Sequence, residues 1–299
     1  MNLTVRMLSV FSSVARNLSF TKAANELHLS QPAVSMQVKQ LEEAIGLPLF
    51  EHLGKKVYLT EAGKEVFHYA QSIAQQFIEL EHVIEGLRGG VRGNLSVAVA
   101  STANYFATRL LAEFSQRQGQ LTYRLEVTNR QTLLVELQHN DKDLVIMGRP
   151  PDDADVVAEP FMENPLVVIA PPQHALAREQ KIPLSRLALE RFVLRESGSG
   201  TRIAMERFFE ERGVRVTTSM EFTSNEALKQ AVQAGLGLGI VSVHTIELEL
   251  EARRLVVLDV EQFPIMRHWY VVTRKGKRLS PIALAFKEFV LTQTPVVLR

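Results

Sequence analysis

The stretch Phe20-Thr-Lys-Ala-Ala-Asn-Glu-Leu-His-Leu-Ser-Gln-Pro-Ala-Val-Ser35 reads as the end of one helix, a tight turn and the start of another. Ser30 is a suitable N-cap, since its hydroxyl can accept from an otherwise unpaired first-turn N–H, and Pro32 falls where a missing N–H costs little. A helix from Gln31 onward brings Val34, Val38, Leu41 and Ile45 within about 40° of one another, which is one narrow buried stripe. Its far side presents Pro32, Ser35, Met36, Lys39 and Gln40, with Gln31 leaning off the N-terminus. That set holds few charges and several groups able to face base edges.

Upstream, Leu3, Met7, Phe11, Val14 and Leu18 recur at helical spacing, and Ser19 marks a break before a short run carrying Ala23, Ala24 and Leu27. Downstream, Leu49-Phe50 lead into a loop, Gly54-Lys55-Lys56, and Val57-Tyr58-Leu59 reads as the second strand of a hairpin or wing. Two lysines at a hairpin tip suit phosphate contacts, which set position while a helix reads sequence. Periodicity alone leaves open a plain three-helix packing unit, and a lysine pair in a turn is more often simply solvated.

Bulk properties neither help nor oppose this. The chain has 299 residues, a net charge of +1 and no cysteine. Its length implies two or three cores, and the absent thiols exclude disulfides and cysteine chemistry and suit a reducing cytoplasm. No signal-peptide pattern and no transmembrane run is found. Residues 1–59 hold only six Lys/Arg against four Asp/Glu, so a DNA-binding expectation rests on pattern and not on charge.

From Thr60 to Leu87 no proline intervenes, and Val66, Ala70, Ile73, Phe77, Leu80, Ile84 and Leu87 alternate spacings of four and three. This heptad seam predicts a helix that pairs with its copy in a second subunit; the alternative is an amphipathic helix lying on its own protein body. Gly89, Gly90 and Gly93 then end it. Pairing would place two reading heads on one duplex, with half-sites spaced by helical turns.

Beyond residue 93, strands and helices alternate: expected strands at 95–100, 123–127, 144–147, 166–170, 192–195, 239–243, 255–260 and 269–273, with helices at 103–117, 132–139, 203–212, 227–234 and 281–292. Such alternation predicts a parallel sheet with helices on both faces and ligands at the carboxyl ends of strands. Glu196-Ser-Gly-Ser-Gly-Thr-Arg202 opens a helix after a strand, where exposed N–H groups favour an anion. Ser197, Gly198, Ser199, Gly200, Thr201 and Arg202 are therefore candidates, against the alternative of an empty turn. Ser101 and Thr102 are candidates at the end of the first strand, or a simple helix cap. Asn129, Arg130 and Arg149 follow the second and third strands, and Asn225 precedes a helix; the arginines could equally be solvated loop charges. The histidines show no metal-ligand spacing and no Gly-x-Ser-x-Gly elbow occurs, so no metal, cofactor or catalytic residue is expected.

The run 20–35 together with Leu41-Glu42, Leu49-Phe50 and Leu59-Thr60-Glu-Ala-Gly63 resembles the head of the LysR-type transcriptional regulators. This implies an α/β multidomain chain: a winged helix-turn-helix at 1–59, a linker and dimerisation helix with hinge at 60–92, and a two-lobed effector domain at 93–299, similar to periplasmic solute-binding proteins. Lobe I would take 93–161 and 266–299, lobe II 162–265. The resemblance implies that Gln31, Pro32, Ser35 and Lys39 approach the major groove, flanked by Ser30, Ala33 and Met36, while Thr21, Lys55 and Lys56 support backbone contacts. Many family members carry an arginine two residues after Leu-Phe; this chain has His52. It also implies a homodimer or homotetramer on double-stranded DNA.

Asn104-Tyr-Phe-Ala107 with Arg109-Leu-Leu-Ala-Glu-Phe114, Val145-Ile-Met-Gly-Arg-Pro-Pro151 and Arg195-Glu-Ser-Gly-Ser-Gly-Thr-Arg202 are similar to the subgroup that regulates Calvin-cycle carbon-fixation operons. That implies phosphorylated metabolites or NADPH as effectors. A LysR-type regulator of another operon, and an α/β enzyme with a DNA-binding head, are the alternatives.

Overall fold

The computed structural model describes residues 3–54, 56–87, 94–118 and 122–298. The chain divides into two compact units, with the break between residues 87 and 94.

In the first unit, α1 (Val5–Asn17), α2 (Phe20–Glu26) and α3 (Gln31–Ile45) precede a hairpin of β1 (Phe50–Leu53) and β2 (Lys56–Leu59), then α4 (Glu61–Leu87). Thr4, Ser19 and Ser30 cap the first three helices by accepting from Met7, Lys22 and Ala33 N–H. Helix α1 stops at Leu18, whose backbone turns left-handed at φ 45°; Leu3 and Leu18, the first and last of the residues at helical spacing, flank the helix and are exposed. Val34, Val38 and Leu41 are buried as the spacing predicts, packing with Phe11, Val14 and Leu49. The motif residues of the hairpin join earn their places by hydrogen bonding. Glu42 Oε1 accepts from Leu49 N–H at 2.7 Å and Phe50 N–H at 3.2 Å. Thr60 donates its hydroxyl to Pro48 O and accepts from Gly63 N–H. A Cβ at Gly63 would overlap the Leu49 carbonyl, so only glycine lets α4 approach the head this closely.

The heptad seam of α4 needs a correction. Ala70 is buried in the head's own core, and Val66 and Ile73 pack against it. Phe77, Leu80 and Ile84 are 46%, 51% and 40% exposed. The seam thus serves two surfaces: one helix stripe can meet the head over its first turns and leave it further on. Leu87's side chain and the glycines at 89, 90 and 93 lie outside the described residues.

The second unit holds β3 (Asn94–Ala100), α5 (Asn104–Gln118), β4 (Thr122–Thr128), α6 (Arg130–His139), β5 (Leu144–Gly148) and β6 (Val156–Glu163). There follow β7 (Leu166–Ala170), α7 (Leu184–Leu187), β8 (Arg191–Arg195), α8 (Gly200–Glu210), β9 (Thr217–Phe222), α9 (Asn225–Gln233), β10 (Gly239–Ser242), α10 (Glu247–Glu251) and β11 (Val256–Val257). β12 (His268–Arg274) and α11 (Pro281–Val297) close the chain. One sheet has the order β4-β3-β5-β12-β6; a second runs β10-β7-β11, beside the pair β8-β9.

The expectation of a parallel sheet holds only in part. β3 is parallel to β4 and β5, and β8 to β9. β12 is antiparallel to both its neighbours, and β7 to β10 and β11. Between β6 and β12 the chain leaves the first sheet, builds the second set of strands and helices, and returns to insert β12 between β5 and β6. β6 and β9 escaped periodicity because β6 contains Pro160 and β9 is almost wholly exposed. The strand expected at 255–260 is reduced to Val256–Val257, followed by a lone bridge from Ile182 to Val260.

Each lobe has its own core. Phe106, Phe114, Trp269, Phe286 and Phe289 fill lobe I; Phe192, Phe208 and Phe209 fill lobe II. The two crossing segments lie side by side, with Asn164 N–H donating to Arg267 O at 2.7 Å. No helix among the described residues is long and apolar enough to cross a membrane.

Candidate functional site

Two surfaces carry the chemistry. On the head, Thr21, Gln31, Pro32, Ser35, Met36 and Lys39 are exposed, and Ala33 is half-buried. Thr21 lies in the first turn of α2, and the others lie on α3, where Val34 and Val38 form the buried side. Ser30 is engaged, because its hydroxyl accepts from Ala33 N–H at 3.4 Å. Lys39 lies 3.8 Å from Glu43 in an exposed ion pair that holds it weakly. Lys56 opens β2 opposite Leu53 and is exposed; Lys55 lies outside the described residues. His52 stacks on Phe20, ring centroids 6.3 Å apart, which gives it a packing role at the position of the family's arginine.

In the second unit a cavity of about 410 Å³, counting the part open to solvent, lies where the two crossing segments meet the two lobes. Ser101 and Thr102 enter from the end of β3, Asn129 and Arg130 from the end of β4, and Ser199, Gly200 and Thr201 from the start of α8. Asn129 also caps α6, accepting from Thr132 N–H at 3.0 Å. Ser199 is the N-cap of α8, yet its side chain makes no capping hydrogen bond, so the hydroxyl is not committed to the helix.

Five expected residues stand elsewhere. Arg202 is not in the cavity wall: it binds Glu206 at 2.7 Å and also Glu221, and donates to Arg195 O. With two carboxylates in reach, this guanidinium folds back along its own helix. Arg149 is exposed and paired with Asp152 at 2.8 Å. Ser197 and Gly198 lie outside the wall because Gly198 turns left-handed, at φ 85°, beside Gln131. Asn225 sits one layer behind, accepting from Arg195 Nη1 at 2.6 Å.

Four wall residues escaped the spacing argument. Arg195, 3% exposed, donates to both oxygens of Glu196 at 2.8 and 2.9 Å and to Ser101 Oγ at 3.3 Å, so it ties lobe II to lobe I. Arg267, on the returning segment, donates to Gly200 O at 2.9 Å. Burial, and then the charge of Arg130, push its guanidinium down to about 10; burial also lowers Arg130. Asn164 lies on the outgoing segment, and Trp269 on β12. Asn164 Oδ1 and Trp269 Nε1 have no hydrogen-bond partner among the described residues. Only the arginine-glutamate dipeptide at 195–196 offered a sequence signal, since crossing segments carry no local motif.

The lobes also touch outside the cavity. Tyr105 donates to Glu226, and Lys229, 3% exposed, lies 4.9 Å from the Tyr105 ring while binding Glu226, Glu249 and Thr245 O. Burial and this contact with the carboxylate push the Tyr105 hydroxyl up to about 12.

Known proteins match both units. The family described as "Bacterial regulatory helix-turn-helix protein, lysR family" matches residues 5–64, and "LysR substrate binding domain" matches residues 88–295. A RuBisCO operon transcriptional regulator of Allochromatium vinosum is 62% identical over 98% of this chain and 97% of its own. The regulatory domain of CcmR from Synechocystis PCC6803, solved with 2-PG, is 42% identical with a TM-score of 0.66, over 68% of this chain and 97% of that one. Full-length CbnR solved on its target DNA shares the fold, at 22% identity and TM-score 0.68 over 96% of this chain and 99% of that one. A helix-turn-helix head followed by this two-lobed unit, matched over both parts, makes the chain a member of the LysR family of transcriptional regulators.

Proposed function

We propose that this regulator controls carbon-fixation genes and answers a small anionic metabolite held in the cavity of its second unit. The observation that carries the reading is the cavity wall: Arg130 and Arg267 share it, and among the described residues neither makes an ion pair. Like charges held close together and partly out of water are costly unless something neutralises them. Ser101, Thr102, Ser199 and Thr201 add hydroxyl donors, and Asn225 supports the wall through Arg195. The 62% identity to a RuBisCO operon regulator supports the class of gene, and the 2-PG complex of CcmR supports a phosphorylated ligand, 2-phosphoglycolate being the first to try.

In this reading residues 1–59 form the winged head, 60–92 the connection and 93–299 the effector domain. Gln31, Pro32, Ser35 and Lys39 enter the major groove, and Thr21, Lys55 and Lys56 hold phosphates. The exposed stripe of Phe77, Leu80 and Ile84 pairs subunits into a dimer or tetramer. The protein works in the cytoplasm by binding alone, with no catalytic step: the effector favours one DNA-bound assembly, and a ligand of equal affinity for both would shift nothing.

The test is footprinting on the upstream DNA of a carbon-fixation operon, with and without 2-phosphoglycolate, glycolate and inorganic phosphate, alongside thermal melting of the full chain. Protection of a two-part site that changes with one of these ligands, together with a raised Tm, supports the reading. Binding no better than to random DNA would refute it.

A further inference from the structure

The arginine pair carries one step more, which rests on the reading that the cavity holds an anion. The charged side chains of the wall are Arg130, Arg195, Glu196 and Arg267. Arg195 and Glu196 cancel through their two hydrogen bonds. Arg130 and Arg267 do not cancel anything. Their recorded partners are carbonyls, Arg149 O at 3.1 Å and Gly200 O at 2.9 Å. Both lie against one backbone point: a Cβ on Gly200 would stand 3.4 Å from Arg130 Cδ and 3.6 Å from Arg267 Nη2. Gly148, at the end of β5, leaves room for the second guanidinium, since a Cβ there would overlap Arg267 Nη2. The same wall holds Asn164 Oδ1 and Trp269 Nε1, each on a residue at least nine-tenths buried and each without a partner among the described residues.

We propose that Arg267, seated by Gly148 beside Arg130, is a specificity-determining residue that selects an effector bearing two negative charges on one group over an effector of the same shape bearing one. The wall carries two uncancelled positive charges. A singly charged group seated between them leaves one guanidinium uncompensated, whereas a doubly charged group neutralises both, and their partial removal from water enlarges the difference. A phosphate monoester near neutral pH meets this requirement, because its second ionisation lies near pH 6. A sulfate monoester has the same tetrahedral shape and a single charge.

Isothermal titration of the full chain with 2-phosphoglycolate and with the sulfate monoester of glycolate tests this, since the two share their carboxylate and their outline. The wild type should bind the phosphate about tenfold or more tighter. In Arg267→Met that ratio should fall to within about threefold, with Arg267→Lys between the two. Gly148→Ala, which keeps both arginines but displaces one, should also lower it. Equal affinity of the wild type for both ligands would overturn the charge selection and leave the anion-binding reading standing. Failure of the wild type to bind either ligand would overturn both. An undiminished ratio in Arg267→Met would remove the selection from Arg267. Should a variant fail to fold, the wild-type comparison alone decides whether charge is selected.

Discussion

Gln31 and Lys56 occupy the two chemical poles of the reading head: an uncharged amide at the N-terminus of α3 and an ammonium at the hairpin. An amide that reads a base edge contributes only on the right sequence, while an ammonium on phosphate contributes everywhere. Gln31→Ala should therefore cost about 1–3 kcal/mol on the operator and little on random DNA. Lys56→Ala should weaken both alike and reduce the salt slope by about 1. Equal effects of the two changes, read by fluorescence anisotropy across a salt series, would refute this division. At the same scale, Arg202 and Arg267 differ from what spacing suggests. Arg202 follows a glycine-rich turn and attracts a ligand reading, yet Glu206 at i+4 and Glu221 from the neighbouring strand take it. Arg267 sits in no motif, and only the return of the chain between the lobes brings it to the wall.

Elements were legible where one face meets a core. The α3 stripe, the serine caps and the glutamate at 42 are local devices whose partners lie within a few residues or one hairpin. Helix α4 was legible as a helix but not in how its stripe is shared, because a heptad seam states only that something apolar covers it. The head covers Val66, Ala70 and Ile73; Phe77 and Leu80 face outward. A double variant, Phe77→Ser with Leu80→Ser, should dissociate the oligomer in sedimentation velocity while leaving the head's Tm within a few degrees, since neither side chain belongs to its core. A large loss of Tm with unchanged oligomeric state would place these residues in intramolecular packing instead. Strands β6 and β9 were invisible to alternation, the first because of its proline and the second because of its exposure.

At the scale of the whole molecule, the weak charge of the head and the two-lobed body belong to one economy. With only six Lys/Arg against four Asp/Glu in residues 1–59, one head makes few phosphate contacts, and the proposed pairing of subunits would double them on one duplex. In the effector domain, closure is held by the cavity and by the Tyr105–Glu226–Lys229 cluster outside it. Tyr105→Phe removes one interlobe hydrogen bond without touching the cavity, and should change effector affinity by about two- to tenfold, a net hydrogen bond being worth about 0.5–1.5 kcal/mol. Burial raises the Glu226 carboxyl, but hydrogen bonds from Tyr105 and Lys229 outweigh it and hold the group below its ordinary value. A depressed carboxyl stabilises the fold above its unfolded pKa and loses that contribution as pH falls through the folded value. The wild type should therefore lose interlobe contact, seen as domain expansion in small-angle scattering, below the ordinary carboxylate range, and Glu226→Gln should blunt that acid response. An identical profile in both proteins would exclude Glu226 as its source.

The sequence by itself determined the reading head, its caps, the long helix and the alternation of strands and helices, because each rests on contacts between neighbours in the chain or on one periodic face. Only the tertiary structure decided which strands run antiparallel, how the α4 stripe is divided and which arginines reach the cavity. Those outcomes depend on where the chain passes between lobes and returns. Asn164 and Arg267, about a hundred residues apart in sequence, become neighbours through a single backbone hydrogen bond that no local pattern encodes.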